Sequence, residues 1–578
     1  MGSSRIERLP FNERAIDALA TLEGRFVNWP VVYTLNGGTS VYVGETGDAA
    51  KRLKDHLATP EKRALGEARI VLDDKFNKSA CLDLESRLIN WFAGDGNYQV
   101  LNGNGGQTDR DYFEREAYRK AFSEIFEKLR KEGLFTRSLP EIENQDLFKL
   151  SPFKALTPDQ ALSVEDILRD LFAAFESGEE TMTVVQGDPG TGKTVVAIYL
   201  MKLLRDIDHA KPDEPADEDA RFSEFFAPPY PELLRGLRIG LVVPQQSLRR
   251  SVQRVFAKTR GLAKADVVTP FQVGGSPERF DLLIVDEAHR LNQRAAQASG
   301  PLNAKFRELT ERLFGTDDPD ITQLDWIQAM SRHQILFVDT LQSVRPADLP
   351  TDVLECAAAE ARHNGRLHRL RTQHRVRAGE DYIGYVRAIL AGEARRPHPR
   401  AFAPYDLRFF DNLGDMRAEI LRLDEAEGLA RLLAGFAWKW TTKSDRTAYD
   451  IELDGFSLRW NGTDRDWVAS EGSVEEVGSI HTIQGYDLNY AGVIIGPDLR
   501  YDTDRERIGF DRTNYFDSQG MKNNIQRGIT YSDEDILRYV RNIYGVLLTR
   551  GIRGTFVYVC DDALREYIRP YFDASVRA

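Results

Sequence analysis

Two short runs of alternating apolar and polar residues flank Asn-Gly-Gly in VVYTLNGGTSVYVGET, residues 31–46. Such alternation predicts half-buried strands, and NGG between them predicts a β-hairpin with a tight turn. A turn on Gly37-Gly38 sets Tyr33 opposite Tyr42, whereas a turn on Asn36-Gly37 sets Tyr33 opposite Ser40. Side chains alternate with period two, so both tyrosines share one face in either register. A charged helix follows around AAKRLKDHL, then a more apolar one around ACLDLESRLINWFA, then the Gly/Asn-rich LNGNGGQT. Residues 109–133 predict an amphipathic helix ended by Gly133. LFTRSLPEIENQDLFKLSPF, with its two prolines, reads as a linker. From Lys154 onward, apolar runs (TMTVVQ, RIGLVV, DLLIVD, QILFVD, YAGVIIG, GTFVYVC) alternate with helical stretches, the pattern of parallel α/β domains.

The chain of 578 residues is too long for one core, and at ~100–200 residues per domain it divides into about three. The pattern sets these as a small domain over 1–108, a charged helix and linker over 109–153, and α/β domains over 154–350 and 351–578. No apolar run approaches the ~20 residues that span a bilayer, so no membrane partner is expected. The polar start MGSSRIERLP argues against export and for the cytoplasm. Cys81, Cys356 and Cys560 lie too far apart in sequence to suggest a disulfide framework or a zinc cluster. A net charge of −13 lacks the basic excess of a generic polyanion binder, but it leaves room for a local nucleic-acid groove. Part of that acidity sits in DHAKPDEPADEDARFSEFF, residues 208–226, which reads as a solvated loop.

QGDPGTGKTVVAIYL carries the sharpest chemistry. Gly187, Asp188, Pro189, Gly190, Thr191, Gly192, Lys193 and Thr194 match GxxxxGK[ST] after an apolar strand and before a helical run. The glycines let backbone N–H groups turn around phosphates at a helix N-terminus. Lys193 would reach the β/γ-phosphates and Thr194 would ligate Mg²⁺. DLLIVDEAHR then brings Asp286 to a strand end to hold Mg²⁺, with Glu287 beside it to orient and deprotonate water. ATP and Mg²⁺ are the cofactors this predicts.

Beyond these motifs the sequence resembles superfamily 1 helicases, in which two RecA-like domains clamp one ATP. LTPDQ resembles the Q motif, implying that Gln160 reads adenine. LVVPQQSLRRSV resembles a strand-contacting motif, and QILFVDTLQSVRP resembles motif III, with Gln342 sensing the γ-phosphate. LRTQHRVR resembles motif IV and implies that Arg375 faces the γ-phosphate. VGSIHTIQGYDLNYAGVIIG resembles motif V. VLLTRGIRGTFVYV resembles motif VI, with Arg550, or nearby Arg553, as arginine finger. Motifs V and VI read closest to the helicase-like region of Schlafen proteins. His481 would contact nucleic acid or cap a strand, and Asp487 is a candidate ribose contact. Residues 501–535 form a long polar stretch, either a strand-binding insertion or a mobile loop. Nothing here reads bases, so backbone and stacking contacts to a single strand are expected.

That setting gives the hairpin a second reading. Arg52 and His56 stand i, i+4 on one helix face, and Glu85 interrupts an apolar stripe. One carboxylate beside tyrosines, Arg and His could hold a divalent metal next to a phosphodiester. The order VVY, YVG, Arg, Glu, Asn resembles the GIY-YIG nucleases. The resemblance implies that Tyr33 activates water with Tyr42 in support, Arg52 neutralises the phosphate, Glu85 holds Mg²⁺ or Mn²⁺, and Asn104 or Asn102 buttresses the site. Alone, the tyrosines would be a cross-strand aromatic pair and Arg52 a solvated charge. The fold class is therefore α/β: a small α+β GIY-YIG-like domain followed by two RecA-like parallel-sheet domains. The expected activity is ATP-driven translocation on nucleic acid, DNA with single-stranded or forked regions, joined to metal-dependent cleavage in defence or repair. Alternatives are an ATP-gated nuclease that never unwinds, and a helicase with an inactive docking module. A homo-oligomer or a defence-system partner is open.

Overall fold

A computed structural model of the chain describes residues 4–103, 105, 111–210, 221–294, 300–339, 342–372, 380–394, 400–463, 467–470, 472–483 and 487–572. Asn104, Arg375, residues 211–220 of the acidic segment and Gln484–Tyr486 lie outside the described residues. The chain forms two compact units, one of residues 1–164, 198–235 and 251–266, the other of residues 165–197, 236–250 and 267–578.

The first unit is built on a five-stranded sheet of β1 (Arg5–Pro10), β2 (Val31–Gly37), β3 (Ser40–Thr46), β4 (Glu67–Leu72) and β5 (Gln99–Val100), in the order β1-β4-β2-β3-β5. β2 is central, and its first five residues, VVYTL, are all buried because both faces of the sheet are covered. Val32, Val41 and Val43 pack with Leu84 and Leu88 of helix Lys78–Asp95. Tyr33 and Leu35 pack on the other face with Leu53 of helix Ala49–Leu57 and Ile16 of helix Glu13–Leu22.

The hairpin register differs from both predicted ones. Tyr33 pairs with Gly44, Leu35 with Tyr42 and Gly37 with Ser40, so the turn falls on Gly38-Thr39, with Gly38 at φ +56°. Gly37 is consumed by close packing: a Cβ there would meet the Leu65–Gly66 backbone at 2.9 Å. The left-handed turn position therefore passes to Gly38. The shift is by an even number of residues across the pair, and the tyrosines still share a face.

The amphipathic helix spans Arg115–Lys131, shorter than 109–133, and Gly133 follows it at φ +85°. The proline-bearing segment is no loose linker. Helices Leu139–Asn144 and Asp146–Lys149 pack on helix Lys78–Asp95, with Ile142 and Phe148 against Gly94. The buried Asp95 carboxylate accepts from the Thr136 and Arg137 N–H groups.

The second unit holds two parallel sheets. The first comprises β6 (Thr181–Gly187), β7 (Ile239–Val242), β8 (Val267–Val268), β9 (Phe280–Val285), β10 (Ser331–Val338) and β11 (Leu367–Leu370), ordered β11-β6-β10-β9-β7-β8. β11 lies beyond residue 350 in sequence yet completes this first sheet beside β6. The remaining strands are β12 (Asp406–Phe409), β13 (Ala430–Ala434), β14 (Ile451–Leu453), β15 (Phe456–Leu458), β16 (Val477–Gly478), β17 (Leu488–Ile495), β18 (Leu499–Asp502), β19 (Arg507–Phe510) and β20 (Gly551–Val559). The second sheet runs β12-β20-β17-β13-β16, while β14–β15 and β18–β19 are hairpins. The central runs FDLLIV, ILFV and LNYAGVII are buried almost throughout, as parallel strands covered on both faces must be. The polar stretch 501–535 is ordered by the β18–β19 hairpin and short 3₁₀ turns at Arg512–Asn514 and Ile525–Arg527. No helix among the described residues is long and apolar enough to cross a membrane.

Candidate functional site

β6 delivers the chain into the Gly187–Thr194 loop. Gly190 and Gly192 take φ +88° and +80°, which residues without a Cβ adopt at no steric cost. A Cβ on Gly187 would strike the Thr191 hydroxyl, which donates to the Asp188 carbonyl at 2.9 Å. Lys193 Nζ donates to the Gly187 and Asp188 carbonyls at 2.7 and 3.1 Å and lies 3.4 Å from Asp339 Oδ2. Asp339 follows β10 and accepts from Gln342 Nε2 at 2.8 Å.

Asp286, at the end of β9, is fully buried, and its Oδ2 has no hydrogen-bond partner. Burial, then the adjacent Glu287, pushes its carboxyl up to about 7, against the pull of Thr194 and Lys193. Glu287 sits at φ +51°. Burial works against its charge, but His289, Lys193 and Arg550 outweigh it and hold this carboxyl well below the usual range. His289 Nδ1 accepts from the Asp339 N–H at 3.3 Å, and its Nε2 lies 3.0 Å from Glu287 Oε2. Gln342 Oε1 is likewise buried without a partner. Unmatched oxygens on Asp286 and Gln342, in a site that also holds the Lys193–Asp339 pair, mark a place with room for a ligand. Asp339 and His289 escaped the sequence reading; the parallel between QILFVD and DLLIVD was the available signal for Asp339.

Arg550 comes from the second sheet of this unit. Its carbonyl accepts from the Leu488 N–H at 3.2 Å, joining the starts of β17 and β20, and its side chain is buried within electrostatic reach of Glu287. Arg553 is partly exposed and pairs instead with Glu427. Arg387, also missed, reaches Asp188 of the loop at 3.2 Å. His481 packs 5.1 Å from Phe436, ring to ring, with Nε2 3.9 Å from Asp517; burial lowers its pKa. Asp487 directly precedes β17. In the first unit, Gln160 is buried and accepts from the Thr157 N–H at 3.0 Å.

The other predicted cluster gathers in the N-terminal sheet. Tyr33 is fully buried above Gly44, where any Cβ would overlap its hydroxyl. Its Oη lies 2.7 Å from Nε2 of the buried His56. Tyr42 stands 6.3 Å from Tyr33 and 5.0 Å from His56, ring to ring. Arg52 and Glu85 both act electrostatically on the two phenols. Burial, with Tyr42 and Glu85, raises the Tyr33 hydroxyl well above its ordinary value, and Arg52 opposes the shift. Burial lowers His56 to about 3, helped by the charges of Lys62 and Arg52, so the imidazole is neutral. Lys62, which the sequence reading passed over, places Nζ 3.2 Å from His56 Nδ1 and 3.8 Å from the centre of the Tyr42 ring. Asn102 is buried against β3, accepting from the Val43 N–H at 3.0 Å and donating to its carbonyl at 2.8 Å. Among the described residues, no three His, Cys, Asp or Glu side chains converge as a metal cluster.

Among solved structures, the chain is similar to the Pif1 helicase from Bacteroides in complex with ADP-AlF3 and ssDNA, at 11% identity and a TM-score of 0.25, covering 69% of this chain and 92% of that one. It is also similar to the Pif1 helicase from Candida albicans, at 13% identity and a TM-score of 0.20, covering 45% and 53%. The uncharacterized protein YPL245W of Saccharomyces cerevisiae is 26% identical over 467 residues, 75% of this chain and 94% of the yeast one. The model of the Schlafen group 3 DNA/RNA helicase domain matches residues 180–561, the span that carries the P-loop, the Asp-Glu pair and Arg550, and the chain belongs to that family.

Proposed function

We propose that the second unit hydrolyses ATP to translocate along nucleic acid, and that the N-terminal sheet carries a phosphodiesterase site of the GIY-YIG kind. The observation that carries the first part is the convergence of Lys193, Asp286, Glu287, Gln342 and Arg550 around a P-loop, with unmatched oxygens on Asp286 and Gln342. Lys193 leaves its carbonyl contacts for the β/γ-phosphates. Glu287, held ionised, orients the attacking water. Arg550 brings a cation from the second sheet, because the charge of a loose phosphoryl-transfer transition state is stabilised mainly electrostatically. The residues fit Mg²⁺: Thr194 and the unmatched Asp286 carboxylate would hold it, and when bound it neutralises phosphate charge. Hydrolysis then opens and closes the space between the two parallel sheets of this unit.

Support for the nuclease is the packing of Tyr33, Tyr42 and His56 with Arg52 and Glu85 in electrostatic reach. Tyr33, as its phenolate, takes a proton from the water that attacks phosphorus, Arg52 neutralises the phosphate, the bridging P–O bond breaks, and the leaving oxygen is protonated from solvent. Glu85 is the one carboxylate here that would hold a divalent ion, which when bound would neutralise phosphate charge. The test is incubation with single-stranded, duplex and forked DNA and RNA, with and without ATP and Mg²⁺, scoring cleavage and unwinding together. Lys193→Ala should lose nucleic-acid-stimulated ATP hydrolysis, and Glu85→Ala should lose cleavage with ATPase intact. Cleavage that survives Glu85→Ala overturns the nuclease assignment; ATPase that survives Lys193→Ala overturns the motor.

A further inference from the structure

Lys62 lies in the four-residue helix Pro60–Arg63, where a charged side chain would ordinarily be left to solvent. Here it is half-buried, and its ammonium lies against both His56 and Tyr42. An ammonium has donors only, so at 3.2 Å the His56 Nδ1 must accept. A neutral imidazole with an accepting Nδ1 carries its proton on Nε2, and that nitrogen is the one 2.7 Å from Tyr33 Oη.

Resting on the nuclease reading above, we propose that Lys62 is a positioning residue: it fixes the Nε2–H tautomer of His56, which makes Tyr33 the acceptor of that hydrogen bond and readies its oxygen to act as a base. With the opposite tautomer, Nε2 would accept from the Tyr33 O–H and stabilise the neutral phenol. With the fixed tautomer, His56 cannot take the Tyr33 proton. That proton leaves to solvent, and Nε2–H then stabilises the phenolate. In turnover the phenolate accepts a proton from water as the new O–P bond forms. The bridging P–O bond breaks, the leaving oxygen is protonated from solvent, and Tyr33 returns its proton to solvent. The groups facing Tyr33 divide by sign. Arg52 and His56 from helix Ala49–Leu57 favour the phenolate, with Lys62 acting through His56; Tyr42 of β3 and Glu85 of helix Lys78–Asp95 oppose it. Lys62 also holds Tyr42 through a cation–π contact, so one ammonium sets both tyrosines.

The test uses the full chain labelled with ¹⁵N-histidine, with the His56 resonances assigned by His56→Gln. Wild type should show Nδ1 as the unprotonated nitrogen. Lys62→Met, which keeps the apolar stem, should invert that pattern, and Lys62→Arg, which keeps a donor, should preserve it. In Mg²⁺-dependent cleavage, Lys62→Met should move the basic-form limb of the kcat–pH profile upward by about one unit. At neutral pH that is about a tenfold loss of kcat, with KM unchanged and Lys62→Arg near wild type. A protonated His56 or an Nδ1–H tautomer in wild type overturns the proposal, as does a Lys62→Met protein with unaltered tautomer and pH limb. The expected tautomers without any wild-type cleavage would uphold the role of Lys62 and overturn the nuclease reading instead.

Discussion

At the scale of single residues, the P-loop site keeps a charge that the fold without ligand does not satisfy. Asp286 is fully buried, shares its surroundings with Glu287, and leaves Oδ2 without a partner. Lys193 and Thr194 offset only part of the cost of ionising a carboxylate in that position. Asp286→Asn removes the charge at constant shape. It should therefore raise the melting temperature of the nucleotide-free protein, by the equivalent of about 1 kcal/mol or more, while ATP hydrolysis is lost. A differential thermal melt with and without Mg²⁺-ATP reads both effects: wild type should gain from the ligand and the variant should not. A variant that melts below wild type without ligand would mean that Asp286 is structural. The same logic separates two neighbouring arginines. Arg553 has its carboxylate in Glu427, whereas Arg550 lies buried within reach of Glu287. Their spacing in sequence could not distinguish them, because both stand at the start of the same run.

At the scale of elements, the N-terminal hairpin shows how one missing side chain positions a site. Gly44 pairs with Tyr33, and the Tyr33 hydroxyl occupies the space that a Cβ on Gly44 would need. Gly44→Ala should cost ~1–3 kcal/mol as an overpacked core substitution. It should also push Tyr33 off His56, so cleavage falls further than stability does; denaturant midpoints and cleavage rates measured together decide this. Equal loss in both would leave Tyr33 a mere packing residue. The period-two pattern made the shared face of the tyrosines legible, but the register was not. Register here depends on Gly37 meeting Leu65–Gly66, a contact distant in sequence. The parallel strands of the second unit were legible because continuous apolar runs have few other places to go. The Leu139–Lys149 helices were not: Pro140 at a helix start reads like a linker proline until packing on helix Lys78–Asp95 is visible. Lys62, His289, Asp339 and Arg387 had no periodic signal, since each meets a partner that lies off its own strand or helix pattern, at separations of up to 199 residues.

At the scale of the whole molecule, the proposed motor needs contacts between its two parallel sheets. The second unit supplies them just beyond Glu287 and Gln342. Gln293 is buried, donates to the Pro346 carbonyl at 2.7 Å, and accepts from Arg527 Nη1 at 2.7 Å, with Asn524 more distant at 3.5 Å. Asn542 donates to the Ser343 carbonyl at 2.8 Å. Residues of the 524–542 region thus grip the segments that follow β9 and β10 of the first sheet. Arg527 also pairs with Asp320 at 3.0 Å, but Asp320 is 75% exposed and this bridge adds little. The weight of the substitution therefore falls on Gln293, which loses the charged donor but keeps its other contacts in Arg527→Ala, at ~1.5 kcal/mol. In the proposed cycle that contact is lost when the sheets part, so the cost falls on closure and leaves the chemistry at Lys193 and Glu287 untouched. The ATP concentration for half-maximal turnover should rise about tenfold, the equivalent of ~1.4 kcal/mol, with kcat changed by less than about twofold when closure is a rapid pre-equilibrium. ATPase titrations at saturating single-stranded nucleic acid measure both quantities. A fall in kcat at unchanged half-saturation would place Arg527 in the hydrolytic step itself, and the grip would then not be what couples nucleotide to movement.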